Sequence, residues 1–198
     1  MPPPEEVVET ITTQLHKDPR GSAAYTGTRG RLELLELISQ DLKKYGGVDV
    51  NPREEITLTD GATEGILLAL MAVLEPGDSV ILTDPTYLGF AEPIKLLDGN
   101  VTRLPVSVEG GFQPDIEKFE EMISKETRAV ILLSPDNPTG RVIQKDKARA
   151  IAELAADNDF WIISDDTYRH ILYEGEHVWI SKFPEAEERT ITLYTFSK

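Results

Sequence analysis

Short apolar runs separated by amphipathic segments are the main pattern along this chain. Several of these runs predict strands that are buried in a sheet. They occupy residues 79–83, 101–106, 129–133, 160–163 and 190–194. Residues 145–158 carry apolar side chains at helical spacing, with Ala148, Ile151, Leu154 and Ala155 on the inward face. This alternation of strands and helices predicts a three-layer α/β/α domain around a mostly parallel sheet.

The first third of the chain holds further predicted elements. Apolar positions at helical spacing predict one helix within residues 7–15 and a second over residues 32–45. Residues 55–59 are expected to form a short strand. A helix over residues 66–74 is expected next, preceded by the small residues at 60–63.

The composition indicates an acidic protein without disulfides. The 198 residues suffice for one sizeable domain, and 20 Lys and Arg against 35 Asp and Glu give a net charge of −15. A surface this acidic repels phosphates, so we expect no nucleic-acid or anionic-membrane partner. Cysteine, a long apolar span and a hydrophobic signal region are all missing from the sequence, and a cytoplasmic location is expected. The scattered histidines do not indicate a metal site.

Three reactive or hydrogen-bonding side chains follow three of the predicted strands. Asn137, Asp165 and Lys198 come after the third, fourth and fifth strands. In open α/β sheets, ligands bind at the carboxyl ends of the strands. A lysine amine that attacks a carbonyl, a carboxylate that holds a proton on a ring nitrogen and an amide that orients a ring oxygen together indicate a pyridoxal phosphate (PLP) site.

Six short segments resemble, in their order, the class I/II aminotransferases of PLP fold type I. They are residues 25–30, 59–64, 84–87, 137–140, 165–168 and 197–198. One segment alone would be weak, but six in the family's order and approximate spacing are specific. The resemblance implies that residues 25–198 form most of the PLP-binding large domain. It also implies that residues 1–24 are an N-terminal arm or the start of the small domain.

The resemblance assigns the residues expected to carry the chemistry. Lys198 matches the Schiff-base lysine, which also moves the proton at the substrate. Asp165 matches the carboxylate that pairs with the protonated pyridine nitrogen and raises the pKa of that nitrogen. Tyr168 and Asn137 are implied to bond the cofactor's phenolic oxygen, and Thr195 is implied to touch the phosphate.

Other positions are implied to bind the cofactor, although each also has an ordinary structural interpretation. Gly61, Ala62 and Thr63 match a phosphate cradle at a helix N-terminus, where backbone N–H groups favour an anion, but a plain helix start fits them too. Tyr87 matches an aromatic ring stacked on the pyridine, or else it fixes the next helix. Tyr25 matches a tyrosine that reaches the phosphate of a neighbouring subunit, or else it packs on its own domain.

Three residues depart from the family's usual pattern. Leu35 stands where the family usually has arginine, which we expect to affect packing more than chemistry. Asp136 replaces an asparagine and is expected on the outer side of its turn. Asp166 replaces a glutamate and is not expected to be catalytic. Because the family often holds the same bond in cis, we predict a cis Asn137–Pro138 peptide, a form found in only about 5–6% of X–Pro bonds.

The resemblance implies amino-group transfer between an amino acid and a 2-oxo acid by a homodimer. Two alternatives stay open: a β-lyase on the same scaffold, or a non-catalytic module that binds the cofactor or mediates dimerisation. In the family, a phosphate-binding arginine, a further strand and a small domain with a carboxylate-binding arginine follow the Schiff-base lysine. We therefore expect this sequence to be the N-terminal portion of such an enzyme, with its sheet incomplete at the C-terminus.

Overall fold

The computed structural model describes residues 2–198, which divide into two compact units. The first unit comprises the chain up to Lys43 together with Asp49–Leu58, and the second comprises Lys44–Val48 and Thr59–Lys198. The predicted division into an arm over residues 1–24 and a large domain over residues 25–198 stays a prediction.

The first unit is helical. It contains helices α1 (Glu5–Lys17), α2 (Pro19–Ser22) and α3 (Leu32–Asp41). A π-helical turn, Leu42–Gly46, follows α3, and its residues from Lys44 onward belong to the second unit. Both helices predicted in this region are therefore present. The side chain of Asp18 accepts a hydrogen bond from the Gly21 N–H (2.9 Å), which caps the start of α2.

The prediction of a strand over residues 55–59 is wrong. This segment has no regular secondary structure. The Leu58 N–H donates to the Arg29 carbonyl (2.8 Å), but a single bond does not make a ladder. The alternating apolar residues Ile56 and Leu58 fit a strand pattern, yet the segment has no strand to pair with among residues 2–198.

The second unit alternates strands and helices. Its helices are α4 (Gly61–Val73), α5 (Ala91–Leu96), α6 (Ile116–Glu121) and α7 (Lys145–Asp157), and its strands are β1 (Ser79–Asp84), β2 (Asn100–Pro105), β3 (Thr127–Leu133), β4 (Trp161–Asp165) and β5 (Thr190–Leu193). Short 3₁₀ turns occupy Leu88–Phe90, Ile180–Lys182 and Glu187–Arg189. All five strands predicted from the later apolar runs are present, with ends within two residues of those expected.

The strands of residues 2–198 form one sheet in the order β2-β1-β3-β4-β5. Every neighbouring pair is parallel. Because β2 lies on one side of β1 and the later strands lie on the other, the strand order reverses between β1 and β3. In open α/β sheets such a reversal marks the crevice where ligands bind, outside the carboxyl ends of the strands.

Helices cover both faces of this sheet. On one face, Val80 and Ile131 belong to a buried cluster with Leu70 of α4, and on the other, Val130 belongs to a cluster with Ile151 of α7. Successive strand residues alternate between the two clusters because side chains of a strand point to opposite faces in turn. Each fully buried aliphatic side chain contributes about 1.5–3 kcal/mol. The predicted three-layer α/β/α architecture is confirmed, and its core fixes the strand ends that carry the candidate site.

Candidate active site

Three of the predicted site residues lie at one edge of the sheet, where the parallel strands end. Asn137 follows β3, Asp165 is the last residue of β4, and Lys198 follows β5. The register pairs Leu133 with Asp165 and Asp165 with Leu193. The strand pairing therefore brings the three segments side by side.

The Lys198 amine is a neighbour of the Tyr168 ring. Its Nζ atom lies 5.9 Å from the ring centroid, which is within cation–π range. The turn that leads to Lys198 is held by Thr195, whose hydroxyl oxygen accepts a hydrogen bond from the Ser197 N–H (3.2 Å) and lies 3.1 Å from the Ser197 hydroxyl. Lys198 itself is exposed, so the amine is accessible to a ligand.

Asp165 is a buried carboxylate that has no cationic partner in residues 2–198. Only 4% of the residue is exposed, and the Thr167 N–H donates to its Oδ1 atom (3.1 Å). Desolvation by burial raises the pKa of Asp165, hydrogen bonds from Thr167 oppose the rise, and the adjacent Asp166 carboxylate adds to it. The ionised carboxylate of Asp165 is therefore poorly stabilised, and a cation placed beside it would stabilise the ionised form.

The first turn of α4 contains the predicted phosphate-binding residues. Gly61, Ala62 and Thr63 lie inside the helix, whereas the sequence placed them before it. Gly61 has a φ of +72°, which favours glycine, and a Cβ there would meet no atom within 4 Å. Asp60 provides no side-chain cap; instead, the Glu64 carboxylate accepts from the Asp60 N–H. The N–H groups of a first helical turn have no intrahelical partner and can bind an anion.

Close packing places this helix start beside β5. A Cβ on Gly65 would lie 3.2 Å from Leu193 Cδ2, closer than an ordinary contact. Leu193 is the last residue of β5. The first turn of α4 therefore lies near the segment that carries Thr195 and Lys198.

The loop after β1 carries Tyr87. This ring is 38% exposed and packs edge-on against Phe90, with centroids 5.4 Å apart and an interplanar angle of 85°. The neighbouring Thr86 hydroxyl donates to Asp136 Oδ1 (3.1 Å), which connects the loops after β1 and β3. Tyr87 thus lies where the strand order reverses, with part of its ring available for stacking.

Asp136 is buried, so the expectation that it lies on the outer side of its turn is wrong. Only 5% of it is exposed, and it forms an ion pair with Arg141, another buried residue, at 3.8 Å. Sequence reasoning did not single out Arg141, because a charged side chain in a polar turn gives no sign that it folds inward. The predicted cis form of the Asn137–Pro138 peptide is confirmed.

A cavity of about 550 Å³ opens beside Asn137 and Tyr168. Its walls come from the loop after β3 and from residues 171–174. Asp165 and Lys198 do not line this cavity. It therefore leaves room for a small molecule next to Asn137 and Tyr168.

Tyr25 belongs to the first unit and is fully exposed. Its role toward a neighbouring subunit stays a prediction. Within residues 2–198, no group of three or more His, Cys, Asp or Glu residues is arranged to hold a metal ion. No helix over the same residues has the length and apolar character needed to cross a membrane.

Comparison with known proteins shows the family to which this chain belongs. The family model for aminotransferase class I and II matches residues 1–198, and the chain belongs to this family. It is 39% identical to aspartate aminotransferase of Pyrococcus horikoshii, over 90% of this chain and 45% of the relative. It is 35% identical to aspartate/prephenate aminotransferase of Thermus thermophilus, over 96% of this chain and 48% of the relative. The chain thus spans about half the length of the curated relatives it matches.

Solved structures agree with this assignment. The aspartate aminotransferase of Thermus thermophilus with maleate superposes with a TM-score of 0.92 at 34% identity, over 98% of this chain and 50% of that one. An aromatic aminotransferase from Pyrococcus horikoshii gives a TM-score of 0.94 at 33% identity, over 98% and 52%. The family resemblance and the fold predicted from the sequence are confirmed.

This family implies pyridoxal phosphate, and the residues at the sheet edge fit that group. Lys198 offers an exposed amine for its aldehyde. Asp165 offers a buried carboxylate whose pKa is raised by burial, and a protonated ring nitrogen would stabilise its charge. The Gly61 N–H donates to the Thr59 carbonyl (2.8 Å), so the Ala62 and Thr63 N–H groups of the first turn of α4 are the ones that suit the phosphate.

Proposed function

We propose that the protein binds pyridoxal phosphate and transfers an amino group between an amino acid and a 2-oxo acid. The observation that carries this proposal is the buried Asp165 carboxylate, with its raised pKa, at the same sheet edge as the Lys198 amine. Buried carboxylates with shifted pKa values are found preferentially at functional sites, so the raised pKa of Asp165 supports an active site at this edge. The names of the relatives at 35–39% identity support the same class of reaction.

Lys198 and Asp165 would carry the proton transfers. When bound, pyridoxal phosphate supplies an aldehyde that condenses with amines and a ring that accepts electrons from the substrate α-carbon. Lys198 would hold the cofactor through its amine and, once displaced by the substrate amine, take and return the proton at the substrate Cα. Asp165 would hold the proton on the ring nitrogen, because a carboxylate beside that nitrogen raises its pKa.

The remaining candidates would bind and orient the cofactor. Asn137 and Tyr168 would donate hydrogen bonds to the ring oxygen, and residues 61–63 with Thr195 would bind the phosphate. Tyr87 would stack on the ring, which adds about 0.5–1.5 kcal/mol beyond its buried area. Each of these residues lies in a loop or first helical turn at the carboxyl edge of the sheet.

The active form would be a homodimer in which Tyr25 serves the site of the other subunit. Full exposure of this tyrosine leaves its ring available to a second copy. Sedimentation of the cofactor-loaded protein should give the mass of a dimer. Tyr25→Phe removes one hydroxyl donor and should weaken cofactor binding by about 10- to 100-fold, because a hydrogen bond to a charged phosphate is worth roughly 1.5–3 kcal/mol. A monomer with unchanged affinity in the variant would contradict this arrangement.

Lys198→Ala is the direct test of the proposed function. Titration of the wild-type protein with pyridoxal phosphate should give an absorbance band that differs from free cofactor, and the variant should lose it because the covalent link is gone. Lys118→Ala is a matched control, since Lys118 is an exposed lysine on α6 that pairs with Asp115 (3.6 Å). A wild-type protein without the band, or a Lys198→Ala variant that keeps it, would overturn the proposal.

Product analysis separates the proposed reaction from the β-lyase alternative. An aminotransferase releases the 2-oxo acid of the amino acid supplied and passes the nitrogen to a second 2-oxo acid. A β-lyase releases pyruvate and free ammonia from a β-substituted amino acid. Ammonia formed in proportion to pyruvate would replace the transferase assignment with a lyase.

A further inference from the structure

Two loops of the candidate site meet at the Asp136 carboxylate. Its Oδ1 accepts from the Thr86 hydroxyl (3.1 Å), which belongs to the loop after β1. Its Oδ2 accepts from the hydroxyl (2.6 Å) and the N–H (3.3 Å) of Thr139, which belongs to the loop after β3. The Arg141 Nη2 atom lies 3.8 Å from Oδ1, and the side chains of Asp136 and Arg141 are only 1% and 2% exposed.

Backbone hydrogen bonds close this turn into a ring. The Asp136 N–H donates to the Arg141 carbonyl (2.8 Å), and the Gly140 N–H donates to the Asp136 carbonyl (2.8 Å). The Arg141 guanidinium donates through Nη2 to the Leu133 carbonyl at the end of β3 (3.1 Å). Asn137 lies within this ring, so its position depends on how the ring is held.

Stability alone does not account for the Asp136–Arg141 pair. A buried ion pair costs desolvation energy, and replacing it by apolar residues of similar volume is often neutral or stabilising. Burial lowers the pKa of Arg141, which the charge of Asp136 opposes. The Arg141 Nη1 atom is buried and has no hydrogen-bond partner in residues 2–198. What the pair supplies is a fixed orientation of both charged groups.

We propose that Asp136 and Arg141 are positioning residues that lock the loop after β3 to the loop after β1, and so set Asn137 and Tyr87 for the cofactor. This rests on the proposed function, because it concerns the cofactor that function requires. Asn137 directly follows Asp136, and Tyr87 directly follows Thr86, so a change at either bridging residue moves a candidate cofactor contact. The family usually has an uncharged asparagine at position 136. In this chain the charge of Asp136 is balanced by Arg141.

A rescue experiment tests the coupling between Asp136 and Arg141 in the cofactor-free protein. Asp136→Asn or Arg141→Met leaves one buried charge unpaired, and each should speed hydrogen exchange of the Asp136 and Gly140 amides by roughly 100-fold. The double variant removes both charges and should return the exchange rates to within about tenfold of wild type. Single variants with wild-type exchange, or a double variant no slower than the single ones, would overturn the coupling.

A matched pair of threonine variants tests the positioning role while the ion pair stays intact. Thr86→Val removes the bridge between the loops, and Thr102→Val removes a similar half-buried hydroxyl, 2.7 Å from the Ser79 hydroxyl, far from the site. Thr86→Val should weaken pyridoxal phosphate binding by about 3- to 10-fold. It should also raise the pH midpoint of the bound cofactor's absorbance change, because a displaced Asn137 stabilises the ionised ring oxygen less.

A purely structural role predicts a different outcome. Thr86→Val and Thr102→Val would then lower the melting temperature alike and leave the pH midpoint unchanged, which would overturn the positioning role while the proposed function stood. A wild-type protein that shows no cofactor band would overturn the proposed function itself. The exchange measurement would in that case still decide whether the Asp136–Arg141 pair holds the loop after β3.

Discussion

Two buried carboxylates at the ends of neighbouring strands have opposite surroundings. Asp136, after β3, receives three side-chain and backbone hydrogen bonds and faces the Arg141 guanidinium. Asp165, at the end of β4, receives one backbone hydrogen bond from Thr167 and lies next to another carboxylate, Asp166. Buried charges are stabilised by pairing and hydrogen bonding. The contrast indicates two roles for a buried carboxylate. One whose charge is balanced by the protein's own hydrogen bonds and counter-charge holds a loop, whereas one with little such stabilisation is available to a cationic ligand.

The largest expected effect is the loss of turnover caused by Asp165→Asn. The amide keeps the shape of the side chain but cannot stabilise a positive charge on the ring nitrogen, so turnover should fall about 100- to 1,000-fold, the scale for losing one electrostatic partner in a dry site. The rate of 2-oxo acid formation measures it. Asp146→Asn, on the exposed first turn of α7, is the control and should leave the rate unchanged. If Asp165→Asn keeps a rate within threefold of wild type, the proposed difference in role between Asp165 and Asp136 is wrong.

The second effect is on stability and falls on the other carboxylate. Asp136→Ala leaves Arg141 buried without its counter-charge, and the free energy of unfolding should drop by about 3–5 kcal/mol. Urea denaturation of the cofactor-free protein measures it. A loss below about 1 kcal/mol, the range of an exposed ion pair, would mean that the pair does not hold the turn.

The smallest effect is a pH dependence that separates the two sites. Because the pKa of Asp165 is higher in the folded protein than in the unfolded chain, the folded state binds more protons between those two values. The stability linked to Asp165 is full below the ordinary aspartate pKa and is lost as the pH rises through the raised value.

Unfolding measured from pH 4 to 8 should reveal this slope in the cofactor-free wild type. Asp165→Asn has no carboxyl proton to lose at this position, so it should be more stable than wild type at pH 7, with the difference shrinking toward pH 4. Equal stability of the two proteins at both ends of the range would show that the Asp165 carboxylate has found a partner.

The sheet, and the shared edge at which three candidate site residues lie, could be predicted from the sequence. Strands buried on both faces read as continuous apolar runs, as in β3, where residues 129–133 are all buried. Once the strands are parallel, the residues that follow them must share one edge. Asn137, Asp165 and Lys198 could therefore be placed together from their positions after three such runs.

The polar contacts could not be predicted in the same way. Apolar periodicity reports which side chains are buried, and it carries no information on which charge pairs across a turn. Asp136 and Arg141 both lie in a loop rich in Pro and Gly, where exposed charges are the usual case. The start of α4 at Gly61 was missed for a different reason, because a glycine in the sequence normally indicates a turn rather than the first residue of a helix.

The common direction of the strands has a practical consequence at the opposite edge of the sheet. The connections that enter the strands lie away from the candidate site, and Lys125, just before β3, has a side chain that is 90% exposed. Because the chain contains no cysteine, Lys125→Cys would create a unique thiol. Attaching a dye or a solid support there would leave the chemistry-bearing edge facing the solution, so that ligand binding could be followed on immobilised protein.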